Sequence, residues 1–174
     1  MIYVLAYPQF EPSVAESINR FRSAHEPERA RLVPPHVTLL FGMRNARPQD
    51  ILAHSEGVAT HTPELAVDFT AGDIVYDPSE KTHKLLLHSS IGKNALISLH
   101  QQLCDGPHRA ELKLDIPYRP HMTVATHKDR AIIERLDVAA LGAFPIPGTI
   151  RALEVVELAD NTLQLLRTVP LRRH

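Results

Sequence analysis

The sequence contains the stretch Pro35-His36-Val37-Thr38-Leu39 and, 85 residues further on, the similar stretch Pro120-His121-Met122-Thr123-Val124. In both, the proline favours extended backbone just before the histidine, and polar and apolar residues then alternate. Side chains of a β-strand point alternately to its two faces, so each histidine shares a face with the threonine two residues later. The sequence therefore predicts two strands that each present an imidazole beside a hydroxyl, with apolar side chains on the opposite face.

The context of these two motifs makes them informative. A bare His-x-Thr pattern is unremarkable in a chain with 11 histidines. Requiring a preceding proline and apolar neighbours lowers the number of matches expected by chance to about 0.01. The alternative is that the two histidines only cap or satisfy strand ends. We favour a functional role because both matches also lie at equivalent points of an internal repeat.

The segments around the two motifs follow one order, in which a strand is followed by a helix and a strand pair. We expect strands at 2–7, 36–41, 64–76, 82–89, 121–126, 148–158 and 163–171, and helices at 13–21, 48–60, 92–103 and 129–141. The sequence thus predicts an α+β fold in which 1–174 form one bilobal domain. The first motif lobe would include about 30–90 and the second about 115–174, each with an antiparallel sheet flanked by helices.

Composition excludes several classes of protein. With 174 residues, 44% hydrophobic and 22% charged, and a net charge of -1, the chain is typical of globular proteins and has no global attraction for long duplexes. The single Cys104 cannot close an intramolecular disulfide, and the first residues lack the pattern of a signal peptide. No apolar run approaches the roughly 20 residues that span a membrane. We expect a cytoplasmic monomer without membrane association.

The two motifs resemble those of the two-histidine phosphoesterase superfamily, whose bacterial members include RNA 2',3'-cyclic phosphodiesterases, also called 2'-5' RNA ligases. The resemblance extends over essentially the whole chain and includes the separation of the motifs and the short N-terminal strand and helix. It implies a bilobal two-histidine phosphoesterase fold, with two pseudo-symmetric antiparallel sheets around a central cleft. It also implies that His36 and His121 are the catalytic pair, and that Thr38 and Thr123 hold the phosphate.

The chemistry of the motifs is consistent with this resemblance. Opening a cyclic phosphodiester requires a base that deprotonates water and an acid that protonates the departing ribose oxygen, in line through phosphorus. Two imidazoles with an ordinary pKa of about 6.5 can do both near neutral pH. Threonine hydroxyls can donate to the non-bridging oxygens. We expect neither a metal nor another cofactor, and the near-symmetry of the motifs leaves open which imidazole is the acid.

We therefore predict a phosphoesterase that acts on RNA with a 2',3'-cyclic phosphate end, or on a cyclic nucleotide, and leaves a 2'-phosphate, with weak reverse 2'-5' ligation. The alternative is a noncatalytic RNA-end or nucleotide-binding module whose cleft uses the same residues only as phosphate ligands. Two imidazoles on opposed strands favour the enzyme, because binding alone requires no acid and base. The chain also lacks a Walker loop, which disfavours NTP-driven ligation.

Four further residues are candidates for substrate binding. Arg119 alternates with the second histidine and could reach a phosphate, although it could equally be a solvent-exposed arginine. Six arginines between residues 20 and 47 create local positive charge around the first motif, and Arg44 is one of them. Tyr7 could stack on a base, as could Tyr118, although aromatic residues near strand ends also belong to cores.

The remaining histidines and the cysteine predict no metal site. His83 and His88 are five residues apart and point to opposite faces of a regular strand, so at most one faces the cleft. His100 and Cys104 have helical spacing, which could suggest a thiol nucleophile or half of a zinc site. We interpret them instead as a buried cysteine beside a histidine, because no second cysteine or matching ligand pair is present.

Overall fold

In the computed structural model, which describes residues 1–112 and 114–173, the chain forms two four-stranded antiparallel sheets flanked by helices. The strands are β1 (Ile2–Ala6), β2 (Val37–Met43), β3 (Leu65–Asp77), β4 (Thr82–Ser89), β5 (His121–His127), β6 (Ile146–Ile150), β7 (Ala152–Ala159) and β8 (Thr162–Pro170). The helices are α1 (Pro12–His25), α2 (Pro27–Leu32), α3 (Pro48–His61), α4 (Lys93–Cys104) and α5 (Arg130–Glu134). Within the described residues, no helix is long and apolar enough to cross a membrane.

Each sheet combines strands from both halves of the chain. The first sheet has the order β2-β1-β7-β8 and the second has the order β5-β4-β3-β6. The hairpin of β3 and β4 therefore pairs with the strand of the second motif, and β7 pairs with β1. The lobes predicted from chain order, about 30–90 and 115–174, do not coincide with these sheets. Local patterns do not specify which distant strand completes a sheet, which explains the difference.

One apolar core joins the two sheets. Its completely buried side chains include Val4 and Leu39 from the first sheet and Phe69, Leu87 and Met122 from the second. Helix α1, which lies between β1 and β2 in the chain, packs on β5 of the second sheet, whereas α4 packs on β2. Helices and strands thus cross between the sheets, and both motif strands are held against the same core.

The residues in the two hairpin turns suit the turn geometry. The carboxylate of Asp77 accepts backbone N–H bonds from Ser79 and Glu80, at 2.9 and 3.2 Å. Asp160 and Asn161 have φ angles of 48° and 56°, as required at the centre of a type I' turn. Both turns lie in gaps between predicted strands, at 77–81 and at 159–162.

Two predicted elements are wrong. The predicted helix at 129–141 consists of α5 and a separate 3₁₀ turn, because Asp129 and Asp137 each accept an N–H bond from the residue two positions later and start a new turn. The predicted strand at 148–158 is interrupted at Arg151, and its two parts, β6 and β7, lie in different sheets. Helix α2, which was not predicted, has only six residues and too little periodicity to detect.

Candidate active site

The structure brings the two histidine motifs together. They lie on β2 and β5, which are edge strands of their sheets and approach each other within 8 Å between Cα atoms. His36 directly precedes β2, and His121 is the first residue of β5. Thr38 and Thr123 are half-buried like the histidines. The residues at the alternate positions, Val37, Leu39, Met122 and Val124, are completely buried. Each strand therefore has the predicted polar face and apolar face.

Equivalent hydrogen bonds to the main chain orient the two imidazoles. His36 Nδ1 lies 2.8 Å from the carbonyl oxygen of Pro34, and His121 Nδ1 lies 2.7 Å from the carbonyl oxygen of Arg119. A carbonyl oxygen can only accept, so Nδ1 of each ring carries a proton and donates it. In the neutral rings Nε2 then has a free lone pair. Each imidazole can therefore accept a proton at Nε2, or donate one after protonation.

Burial and neighbouring positive charge lower the pKa of His36 to about 4. Burial is the largest cause, and the guanidinium groups of Arg22 and Arg29 act in the same direction. The positive charge of His121 also lowers the pKa of His36, so the two rings interact electrostatically. His36 is therefore neutral at pH 7, and a bound phosphate anion would favour its protonated form.

Burial also lowers the pKa of His121, and positive charges on His88, Lys84 and Arg119 lower it further. His88 is the cross-strand partner of His121 on β4. The exposed guanidinium of Arg119 lies 3.2 Å from the carboxylate of Asp73, which also accepts a hydrogen bond from His88 Nε2 at 3.3 Å. The structure thus places the predicted Arg119 beside the second motif. Asp73 and His88, which were not predicted as site residues, lie there as well.

A β-bulge accounts for the position of Asp73. The register of β3 against β4 shifts between Ala71 and Ile74. A side chain at Gly72 would collide with the carbonyl oxygen of Leu86, so the close approach of the two strands requires glycine. A glycine inside a strand pattern was the available sequence signal, because such glycines often mark bulges.

Tyr7 lies beside the first motif. Its ring meets His36 edge to face, with 6.3 Å between ring centroids and 74° between the planes. Burial, reinforced by the negative charge of Glu154, raises the pKa of Tyr7 to about 12. Its hydroxyl is therefore a neutral group that can donate a hydrogen bond at neutral pH.

Arg44, a further candidate for substrate binding, lies at the opposite end of β2 from His36. It follows the last residue of β2, and its backbone N–H donates to the carboxylate of Glu111 at 3.0 Å. Eight residues of strand place it about 26 Å from His36 at 3.3 Å per residue. Positive charge near the first motif comes instead from Arg22 and Arg29, which act on the pKa of His36.

Tyr118 connects the segment before the second motif to the first motif. Its hydroxyl donates to the carbonyl oxygen of Thr38 at 2.9 Å, and its ring stacks on His100 at 3.8 Å between centroids. His100 Nδ1 in turn donates to the carbonyl oxygen of Leu39 at 2.7 Å. Tyr118 thus covers the free edge of β2, a tertiary role that the sequence did not indicate.

The cysteine and the remaining candidate histidines differ in their positions relative to the motifs. Cys104 is buried, as predicted, and burial raises the pKa of its thiol to about 11. His83 packs against Tyr76 with 5.0 Å between ring centroids, whereas His88 lies next to the second motif. Among residues 1–112 and 114–173, no group of three or more His, Cys, Asp or Glu side chains is arranged to hold a metal ion.

The family model of the 2'-5' RNA ligase superfamily matches residues 10–162, which include both motifs. The chain belongs to the 2'-5' RNA ligase superfamily. The two-histidine phosphoesterase relationship predicted from the motifs is therefore confirmed.

Solved structures show the same fold. The protein TT0787 of Thermus thermophilus has 21% identity and a TM-score of 0.62, and the match covers 98% of this chain and 99% of that one. Escherichia coli LigT complexed with 3'-AMP has 17% identity, a TM-score of 0.61 and coverages of 98% and 97%. Kluyveromyces marxianus Usb1 has 13% identity, a TM-score of 0.55 and coverages of 98% and 98%. The predicted fold is thereby confirmed. No curated protein matches the chain in sequence.

Proposed function

We propose that this chain is a metal-independent phosphoesterase that opens 2',3'-cyclic phosphates, at RNA ends or in small nucleotides, and leaves a 2'-phosphate. One observation carries the proposal: in both motifs, Nδ1 of the imidazole donates a hydrogen bond to a main-chain carbonyl oxygen. It leaves Nε2 of His36 and of His121 as the reactive nitrogens, on two edge strands that contact each other. An in-line displacement at phosphorus needs a base and an acid in such a pair.

In the proposed reaction, the oxygen of a water molecule attacks phosphorus, and the bond from phosphorus to the 3' oxygen breaks. One Nε2 accepts a proton from the water. The other imidazole enters as an imidazolium and gives its proton to the departing 3' oxygen. The products are a 2'-phosphate and a 3' hydroxyl, and either assignment of acid and base satisfies this balance. When the 5' hydroxyl of an RNA replaces the water, the same step produces a 2'-5' linkage.

The other side chains of the site have supporting roles in this proposal. The hydroxyls of Thr38 and Thr123 share strand faces with the histidines and donate to the non-bridging oxygens. Arg119, which is 63% exposed, binds a further phosphate or the terminal nucleotide. Tyr7 contacts the substrate beside His36.

Ligands of structural relatives support a ribose phosphate as the substrate. LigT of Escherichia coli has been solved in complex with 3'-AMP and in complex with NADP+, and both compounds contain phosphorylated ribose. A cyclic phosphate carries one negative charge, which suits a site where positive charges act on both histidines.

The proposal is tested by incubating the protein with 2',3'-cyclic AMP and with a short RNA that ends in a 2',3'-cyclic phosphate, both in excess EDTA. We expect turnover of at least one substrate, with the 2'-phosphate as the product identified by phosphorus NMR or chromatography. Adding a divalent metal should leave the rate unchanged. Tight binding without turnover would instead support the noncatalytic module, and an absolute requirement for metal would overturn the proposed mechanism.

The pH dependence of kcat/KM offers a second test. The base must be deprotonated and the acid protonated, and in the free protein the pKa of His36 is about 4 and that of His121 lies below its usual value. The productive form is therefore most populated on the acid side of about pH 6.5, where kcat/KM should be highest. Bound phosphate raises both pKa values, so kcat should peak at higher pH than kcat/KM. Initial rates over a pH series at constant ionic strength measure both profiles, and a kcat/KM optimum above about pH 8 would contradict the expectation.

A further inference from the structure

Arg22 and Glu26 form an ion pair that is almost completely removed from solvent. The residues are four positions apart around the end of α1, each side chain is 1% exposed, and Nε of Arg22 lies 2.5 Å from the carboxylate of Glu26. Burying two charges is costly, and apolar residues of similar volume often stabilise a fold as well or better. Stability alone therefore does not explain this pair, and its other contacts suggest a different role.

These contacts lead to both histidine motifs. Nη1 of Arg22 donates to the carbonyl oxygen of Val33 at 2.9 Å, three residues before His36. The carboxylate of Glu26 accepts from the hydroxyl of Thr126 at 3.2 Å, and Thr126 belongs to β5, the strand of the second motif. A single buried ion pair thus connects the entry of one motif strand with the body of the other.

The charge of Arg22 also reaches the site itself. It is one of the two guanidinium charges that lower the pKa of His36. Its Nη2 is buried and has no hydrogen-bond partner among the residues that the structure describes. Glu26 receives a second guanidinium at 3.8 Å from Arg29, which also pairs with the carboxylate of Glu80 at 2.8 Å.

We propose that Arg22 and Glu26 are positioning residues that hold the two imidazoles at the separation required for proton transfer, without contacting the substrate. This inference rests on the proposed function. The two motif strands, β2 and β5, are not ladder partners, so side-chain contacts contribute to the relative position of the two histidines. The bond from Tyr118 to Thr38 is one such link, and the ion pair is another.

Replacing both charges by methionine tests this role. The double variant Arg22→Met/Glu26→Met leaves no unpaired buried charge, so the protein should stay folded. Loss of the two links should lower kcat by about 10- to 100-fold, because small displacements of catalytic groups have effects of this size, with KM changed by less than about threefold. The matched control is Arg130→Met/Glu134→Met, which removes an exposed pair of the same spacing at 2.7 Å on α5 and should leave kcat unchanged.

A smaller change cuts only the link to the second motif. Thr126→Val removes the hydroxyl that bonds to Glu26 but preserves the shape of a half-buried strand residue and leaves the ion pair in place. We expect kcat to fall by about tenfold and Thr126→Ser to restore it. The inference is wrong if either the double methionine variant or Thr126→Val is folded and has the parental kcat.

NMR of the substrate-free protein separates this inference from the proposed function. The imidazole signals of His36 and His121 should both shift in the double methionine variant, although Arg22 and Glu26 lie outside the second sheet. If the parent protein turns over no cyclic phosphate, the proposed function fails, but these signals still test the positioning role. Unchanged signals of His121 would overturn it.

Discussion

Replacement of His36 by alanine lowers kcat for a 2',3'-cyclic phosphate by about 10²- to 10⁴-fold, and replacement of His121 has an effect of similar size. Each substitution removes one of the two proton transfers, and the two rings have the same Nδ1–H bond to the main chain. Neither threonine nor tyrosine can replace an imidazole that exchanges a proton near neutral pH. Initial rates over a range of substrate concentrations give kcat and KM for each variant.

The control for these variants is His61→Ala, which removes an exposed histidine at the end of α3 and should have the parental kcat. Thermal unfolding should show that the alanine variants remain folded, because both rings are only half-buried. Removing both histidines should cost little more than removing one, since acid and base act in one step. Parental turnover in either single variant would eliminate the proposed mechanism.

Replacement of Thr38 or Thr123 by valine lowers kcat by about 10²- to 10³-fold, the loss typical of one preorganised donor to a developing oxyanion. Valine keeps the branched Cβ that suits a strand, so the change is limited to the hydroxyl. Serine at the same position restores the donor and should recover most of the activity. The same kinetic assay measures all four variants.

A matched control is Thr149→Val on β6, which removes the hydroxyl of another half-buried strand threonine. It should have the parental kcat. If the valine variants at the two motifs raise KM and leave kcat unchanged, the hydroxyls contribute equally to the ground state and the transition state. That result would contradict their assignment to the developing charge.

The motif strands and their four polar residues could be predicted because their information is local. Alternation of polar and apolar side chains decides which face of a strand is buried, and the complete burial of Val37 and Met122 follows this rule. The turn at Asp160 and Asn161 is equally local, since it depends on two residues with positive φ.

The rest of the site depends on contacts between segments that are distant in the chain. Asp73 reaches Arg119 only because a bulge at Gly72 shifts the register of β3. Tyr118 and Glu26 reach the motifs across 80 and 100 residues of sequence, respectively. No periodicity marks such contacts. Arg44 was a candidate because it is near the first motif in sequence, but a strand carries it to the far end of the sheet.

The exchange of strands between the sheets has a consequence for the integrity of the molecule. A cut after β4 would give one piece with β1 to β4 and another with β5 to β8. Each piece would contain strands whose neighbours in the sheet belong to the other piece. Each would also contain only one of the two motif histidines, His36 or His121. Neither fragment could therefore complete a sheet or a reaction centre alone, and recovery of catalysis would require the fragments to reassociate.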